Sequence, residues 1–112
     1  MQYLVTVETV DAGPLLPPEG VVGLVRQAIL PSMEALVRME SEGKILGGGV
    51  PVGERGAVFI VEADSNEELD GLLQDLPAWG VSKAKVTPLQ RFQNRLEHTS
   101  QYVDRMESSL QR

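Results

Sequence analysis

The sequence has no cysteine and only one histidine, His98. A disulfide framework and a thiolate metal site are therefore excluded, as is a site built from several histidines of one chain. Basic charge is also short: 10 Lys and Arg stand against 16 Asp and Glu, for a net charge of −6. That balance argues against general nucleic-acid binding, which depends on cations that displace condensed counterions. No uninterrupted apolar run approaches the ~20 residues that span a bilayer. The first residues, MQYLVTVETV, lack a basic segment and reach Glu8 quickly, so they do not read as a signal peptide. The expectation is a cytoplasmic protein with no metal, membrane or nucleic-acid partner. At 112 residues one domain is expected, and oligomerisation would add burial to a small core.

What is present centres on residues 56–77, GAVFIVEADSNEELDGLLQDLP. Ala57 to Val61 is apolar and rich in β-branched or aromatic residues, which predicts a strand covered on both faces. Ser65 and Glu68 form a capping box, in which the hydroxyl takes the amide proton of residue 68 and the carboxylate reaches back to the N–H of Ser65. Leu69, Leu72, Leu73 and Leu76 then share one helical face, and Pro77 ends the helix.

Ahead of this unit, residues 2–10 alternate as a strand, with Tyr3, Val5 and Val7 on one face and Leu4, Thr6 and Glu8 on the other. Asp11 to Pro18 reads as a long loop suited to a rim or lid. Glu19 to Ser41 reads as a helix that Pro31 kinks or splits near Leu30. Lys44 to Val50 is a short strand that Gly47, Gly48 and Gly49 weaken into an edge or a bulge. The glycine-rich GGGVPVGERG is not a phosphate loop, since Gly-Lys-Ser/Thr and a following helix are missing. Val81 to Val86 is the fourth strand, with Lys83 and Lys85 on one side. Thr87, Pro88 and Gln90 carry the signature of a second helix start, with cap, first-turn proline and third-position Gln. Behind it Phe92, Leu96, Thr99, Val103, Met106 and Leu110 step by four and three as a narrow heptad seam.

The order β-α-β-β-α-β predicts a ferredoxin-like α+β domain over residues 1–89: a four-stranded antiparallel sheet with two helices on one face. Residues 90–112 form an additional amphipathic helix for docking or oligomerisation. Because strands one and three are apolar on both sides, a second copy packed face to face is expected, giving a homodimer or a higher homo-oligomer. Charge divides the same way. Residues 1–82 hold 13 acidic and 4 basic side chains; residues 83–112 hold 3 and 6. This fits two solvated faces, or a basic tail lying on the acidic body of a partner.

The first-strand pattern YLVTV, the pair Glu42-Gly43, the segment VEADSNEELDGLLQDLPAW and the later KVTPL together resemble the muconolactone δ-isomerase family. The likeness covers roughly residues 1–92. It implies a dimeric α+β barrel and a cytoplasmic oligomer without metal or organic cofactor. It also implies an activity: moving a double bond in an unsaturated lactone by proton transfer during aromatic-compound breakdown. The chain departs from the family pattern at Leu4 and Thr6, where polar or basic residues are usual. It departs again at Ile45 to Gly49, where the family strand is rich in Arg, His and Trp.

Glu8 is the candidate acid/base. If its strand face lines a space between two sheets, a carboxylate there can shuttle a proton; otherwise it is an exposed strand-end residue. Tyr3, Leu4, Thr6 and Trp79 are candidate pocket residues, with core packing as the other role for Tyr3 and Trp79. Lys83, Lys85 and Arg91 are candidate contacts for a ligand carboxylate, although edge protection also suits the lysines. Arg95 offers the same chemistry from the tail, and His98 sits where a solvated helix surface is expected. Two functions follow. One is a cofactor-independent isomerase acting on a small unsaturated lactone or aromatic-derived acid. The other is a non-catalytic oligomeric protein that binds a small ligand or serves as an accessory subunit.

Overall fold

In the computed structural model, which describes residues 1–10 and 16–111, four strands form one antiparallel sheet. They are β1 (Gln2–Thr9), β2 (Ile45–Gly49), β3 (Gly56–Glu62) and β4 (Ser82–Leu89), in the spatial order β2-β3-β1-β4. Tyr3 pairs with Val61, Val5 with Phe59 and Val7 with Ala57, so these side chains share one face. That face carries the core: Tyr3, Val5, Phe59 and Val61 are buried against Leu69, Leu73 and Leu76. The α+β class and topology are those expected from the sequence. The Asp11 to Pro18 loop lies largely outside the described residues.

The expected first helix is three pieces: α1 (Pro18–Leu24), a π-helical turn (Val25–Ile29) and α2 (Leu30–Ser41). Pro31 explains the interruption. It has no N–H for the carbonyl four residues back, and its ring would crowd that carbonyl. The chain widens instead, and the Leu30 N–H donates to the Val25 carbonyl, five residues back. The helix is thus interrupted just ahead of Leu30, where the proline predicts a break, and the interruption takes the form of a π-turn. Taken as one helix, Pro18–Ser41 is long and apolar enough, by length and composition alone, to cross a membrane, although charged residues interrupt its apolar runs.

α3 (Asn66–Gln74) is capped by Ser65, whose Oγ accepts the Glu68 N–H at 3.1 Å. The other half of the cap differs from the expected box: Glu68 Oε2 accepts the N–H of Asp64 at 2.9 Å, one residue earlier than predicted. The Tyr3 hydroxyl donates to Asn66 Oδ1 at 2.6 Å and ties the start of α3 to β1.

The helix start expected at Thr87 is absent. Thr87, Pro88 and Leu89 extend β4, and α4 (Phe92–Leu110) begins after Arg91. β4 is an edge strand, so one side of Pro88 has no ladder to serve and the missing N–H is tolerated. α4 buries none of its residues, and with it the chain extends over 73 Å.

β2 is the other edge, and its register shifts between Ile45 and Gly47. Gly48 has φ of 128°, and a Cβ there would overlap the Val58 carbonyl oxygen. Gly56 is similarly constrained, because a Cβ would overlap the Val7 carbonyl oxygen. Gly48 is thus what lets β2 approach β3, and Gly56 what lets β3 approach β1.

Candidate functional site

The two halves of the helix-covered face are filled differently. Under α3 it is packed solid. Under α1 and α2 it is hollow. Ala35, Leu36 and Met39 of α2 pack on the core, whereas α1 and the π-turn bury no residue. The helix is therefore seated at its C-terminal end and stands off the sheet at its start. The space beneath it is a cavity of about 950 Å³.

Val7, Ala57 and Phe59 form its floor on the sheet, and Val25, Ile29 and Met33 form part of its roof. Leu76, Ala78 and Trp79, beyond α3, line one end. The local sequence accounts for the hollow. The floor carries small residues, Ala57 and the side-chain-free Gly48, opposite a helix stripe of aliphatic residues. The π-turn forced by Pro31 sets the roof, since Val25 and Ile29 both belong to it.

Polar groups are sparse. Ser32 is the single buried polar side chain among the described residues, 8% exposed, and its Oγ accepts the Ala78 N–H at 2.8 Å. Ser82 also lines the cavity, but its hydroxyl proton goes to the Ala78 carbonyl at 2.6 Å. Thr9, Glu40, Glu54 and Arg55 complete the polar lining among the described residues, and both carboxylates belong to exposed residues. No group of three or more acidic or histidine residues suited to a metal occurs among the described residues.

The residues singled out from the sequence fall in separate places. Trp79 lines the cavity. Tyr3 is buried in the solid half of the core, with its hydroxyl committed to Asn66. Leu4, Thr6 and Glu8 lie on the opposite, open face of the sheet. Lys85 pairs across from Thr6 and Lys83 from Glu8, so both lysines share that face. Arg91 is exposed at the start of α4. The open face is a mixed surface. Leu4, Val58 and Ile60 are half-buried, while Glu8, Lys83 and Lys85 are exposed.

Alternation in β1 points to the face that carries Thr6 and Glu8, away from this cavity. The available signal was the pairing of small strand residues, Gly48 and Ala57, with an aliphatic helix stripe interrupted by proline. That pattern leaves volume beneath a helix instead of filling it.

The fold is shared with solved structures. The crystal structure of a muconolactone isomerase matches with a TM-score of 0.67 at 20% identity, covering 81% of this chain and 90% of that one. The 5-chloro-2-hydroxyhydroquinone dehydrochlorinase of Burkholderia phenoliruptrix, solved with 2,5-dihydroxybenzoquinone, matches with a TM-score of 0.57 at 20% identity, covering 84% and 98%. At that identity the likeness speaks for the fold alone. No curated protein matches by sequence. The family model of muconolactone delta-isomerase, however, matches residues 1–95. A match over that much of the sequence decides the relationship, and the chain belongs to the muconolactone delta-isomerase family.

Proposed function

We propose that this chain is a cofactor-independent, isomerase-like enzyme of the cytoplasm that binds a small unsaturated lactone or aromatic-derived acid in the cavity beneath α1 and α2. The cavity is the observation that carries the reading: about 950 Å³ of half-open, mostly aliphatic space with a few polar groups in its lining. In the proposed reaction a base takes a proton from one carbon, the double bond shifts, and the proton is returned at another carbon. Atoms and electrons balance within one molecule, so no co-reactant is needed. Glu40 and Glu54 are the carboxylates of the described lining and the nearest candidates for that base. Glu8 can serve only a ligand held on the open sheet face, where a second copy would have to close over it.

A second copy is the proposed partner. Half-exposed Leu4, Val58 and Ile60 and the apolar seam of α4 are the surfaces it would cover. Lys83, Lys85 and Arg91 would then lie at or near an interface, where they can meet acidic side chains of the other copy.

The exposure of both cavity-lining carboxylates favours a second reading, a non-catalytic small-ligand-binding or accessory subunit. The test is turnover of unsaturated lactones followed by proton NMR in deuterated water, with Glu40→Gln, Glu54→Gln and Glu8→Gln alongside. A double-bond shift lost in one cavity variant and kept in Glu8→Gln supports the proposal. Binding without any shift across the panel supports the accessory reading.

A further inference from the structure

The cavity has room for more than one small ring, and most of its lining is apolar. Ligand pockets range over about 300–1,000 Å³, and this one, at about 950 Å³, lies near the top. A single ring would leave most of the aliphatic lining without partner atoms and forfeit dispersion contacts on every uncovered side. The bulk must be apolar, since Val7, Val25, Ile29, Met33, Phe59 and Leu76 offer it nothing else.

One group breaks that pattern from a buried position. Ser32 Oγ accepts the Ala78 N–H, and a hydroxyl that accepts still has a proton to give. Ser82 has already given its own to the Ala78 carbonyl. Ser32 also shares the lining with Trp79, the chain's one tryptophan.

We propose that the cavity takes an unsaturated ketone or lactone of at least two fused rings, with its carbonyl oxygen accepting the Ser32 hydroxyl proton and its apolar body lying along the π-turn. This rests on the cavity being the site of the proposed function, and it names that site's substrate class and its anchoring residue. The hydrogen bond from Ala78 holds the Ser32 oxygen in place, so the donor is pre-oriented before the ligand arrives.

The test is a titration of the full chain, read by Trp79 fluorescence, with three probes. These are 1-tetralone (two rings, one carbonyl), cyclohexenone (one ring, one carbonyl) and tetralin (two rings, no oxygen). The expected result is at least tenfold tighter binding of 1-tetralone than of cyclohexenone. In Ser32→Ala, affinity for 1-tetralone should fall about threefold to tenfold, the worth of one hydrogen bond, while tetralin is unaffected. A purely structural role for Ser32 would weaken both two-ring probes alike. Should Ser32→Ala fail to fold, Ala57→Leu, which raises the cavity floor, is expected to weaken 1-tetralone more than cyclohexenone. Equal affinity for one-ring and two-ring ketones, or no binding by either, overturns the proposal. Tight 1-tetralone binding without turnover of any lactone would refute the isomerase reading and leave this inference standing.

Discussion

Replacing Ser32 with alanine tests how the cavity wall is held together, independently of any ligand. Ser32 sits in α2, and its hydroxyl oxygen accepts the N–H of Ala78 beside Trp79, across 46 residues of sequence. Both residues are buried, Ser32 at 8% and Ala78 at 7% exposure. The bond is a polar link between the seated helix and the end of the cavity. Removing the oxygen forfeits a hydrogen bond of about 0.5–1.5 kcal/mol and leaves a buried donor unsatisfied, which costs about 1–3 kcal/mol. Since the cavity lies beside it and can admit water, the lower part of that range applies, about 1–2 kcal/mol. For a domain of this size that is a fall in Tm of roughly 4–10 °C. The assay is urea unfolding followed by circular dichroism, with Ser32→Thr as the variant that keeps the hydroxyl. The alanine variant should lose stability with an unchanged denaturant slope, and the threonine variant should lose less. If Ser32→Ala unfolds at the same urea concentration as the parent, the bond does not hold this wall.

Other outcomes follow from the same geometry. Gly48→Ala places a Cβ against the Val58 carbonyl at a φ that alanine avoids; β2 should detach from β3, seen as loss of amide-exchange protection in residues 45–49. Tyr3→Phe removes the bond to Asn66, an exposed acceptor that water can serve, so unfolding should show a loss of only about 0.5–1 kcal/mol. Val61→Ala, at a fully buried position, should cost more, about 1–3 kcal/mol by the same measurement. Leu96→Glu with Val103→Glu places two charges on the α4 seam; sedimentation should show a smaller species than the parent if that seam meets a second copy, and the same species if it does not.

Much of the architecture was legible because each element carries its own local signal. The Ser65 cap, the leucine face of α3 and the alternation in β1 all act over a few residues, and all are present. The readings that failed were those in which two rules compete. Thr87-Pro88 has the chemistry of a helix start, but pairing with Tyr3 and Leu4 holds it in β4, and the edge position removes proline's penalty. Pro31, by contrast, interrupts the helix near Leu30 as its chemistry predicts, and the interruption takes the form of a π-turn. The site was the least legible part. Its walls come from residues far apart in sequence that are ordinary one by one: a valine in a helix, an alanine in a strand, a serine on a helix. Only the tertiary arrangement shows that Ala57 lies beneath a helix that stands off, and that Ser32 meets Ala78 there. Trp79, chosen for its size, is the one candidate that lines this space. Glu8, chosen for its charge, points to the other face.

The most direct test of the account is a map of amide shifts in a proton–nitrogen correlation spectrum as 1-tetralone is added to the labelled full chain. The account predicts that perturbations gather at Val7, Ser32, Ala57 and Trp79, under α1 and α2. Perturbations gathered instead at Leu4, Thr6, Glu8 and Lys85 would place the site on the open sheet face and contradict it.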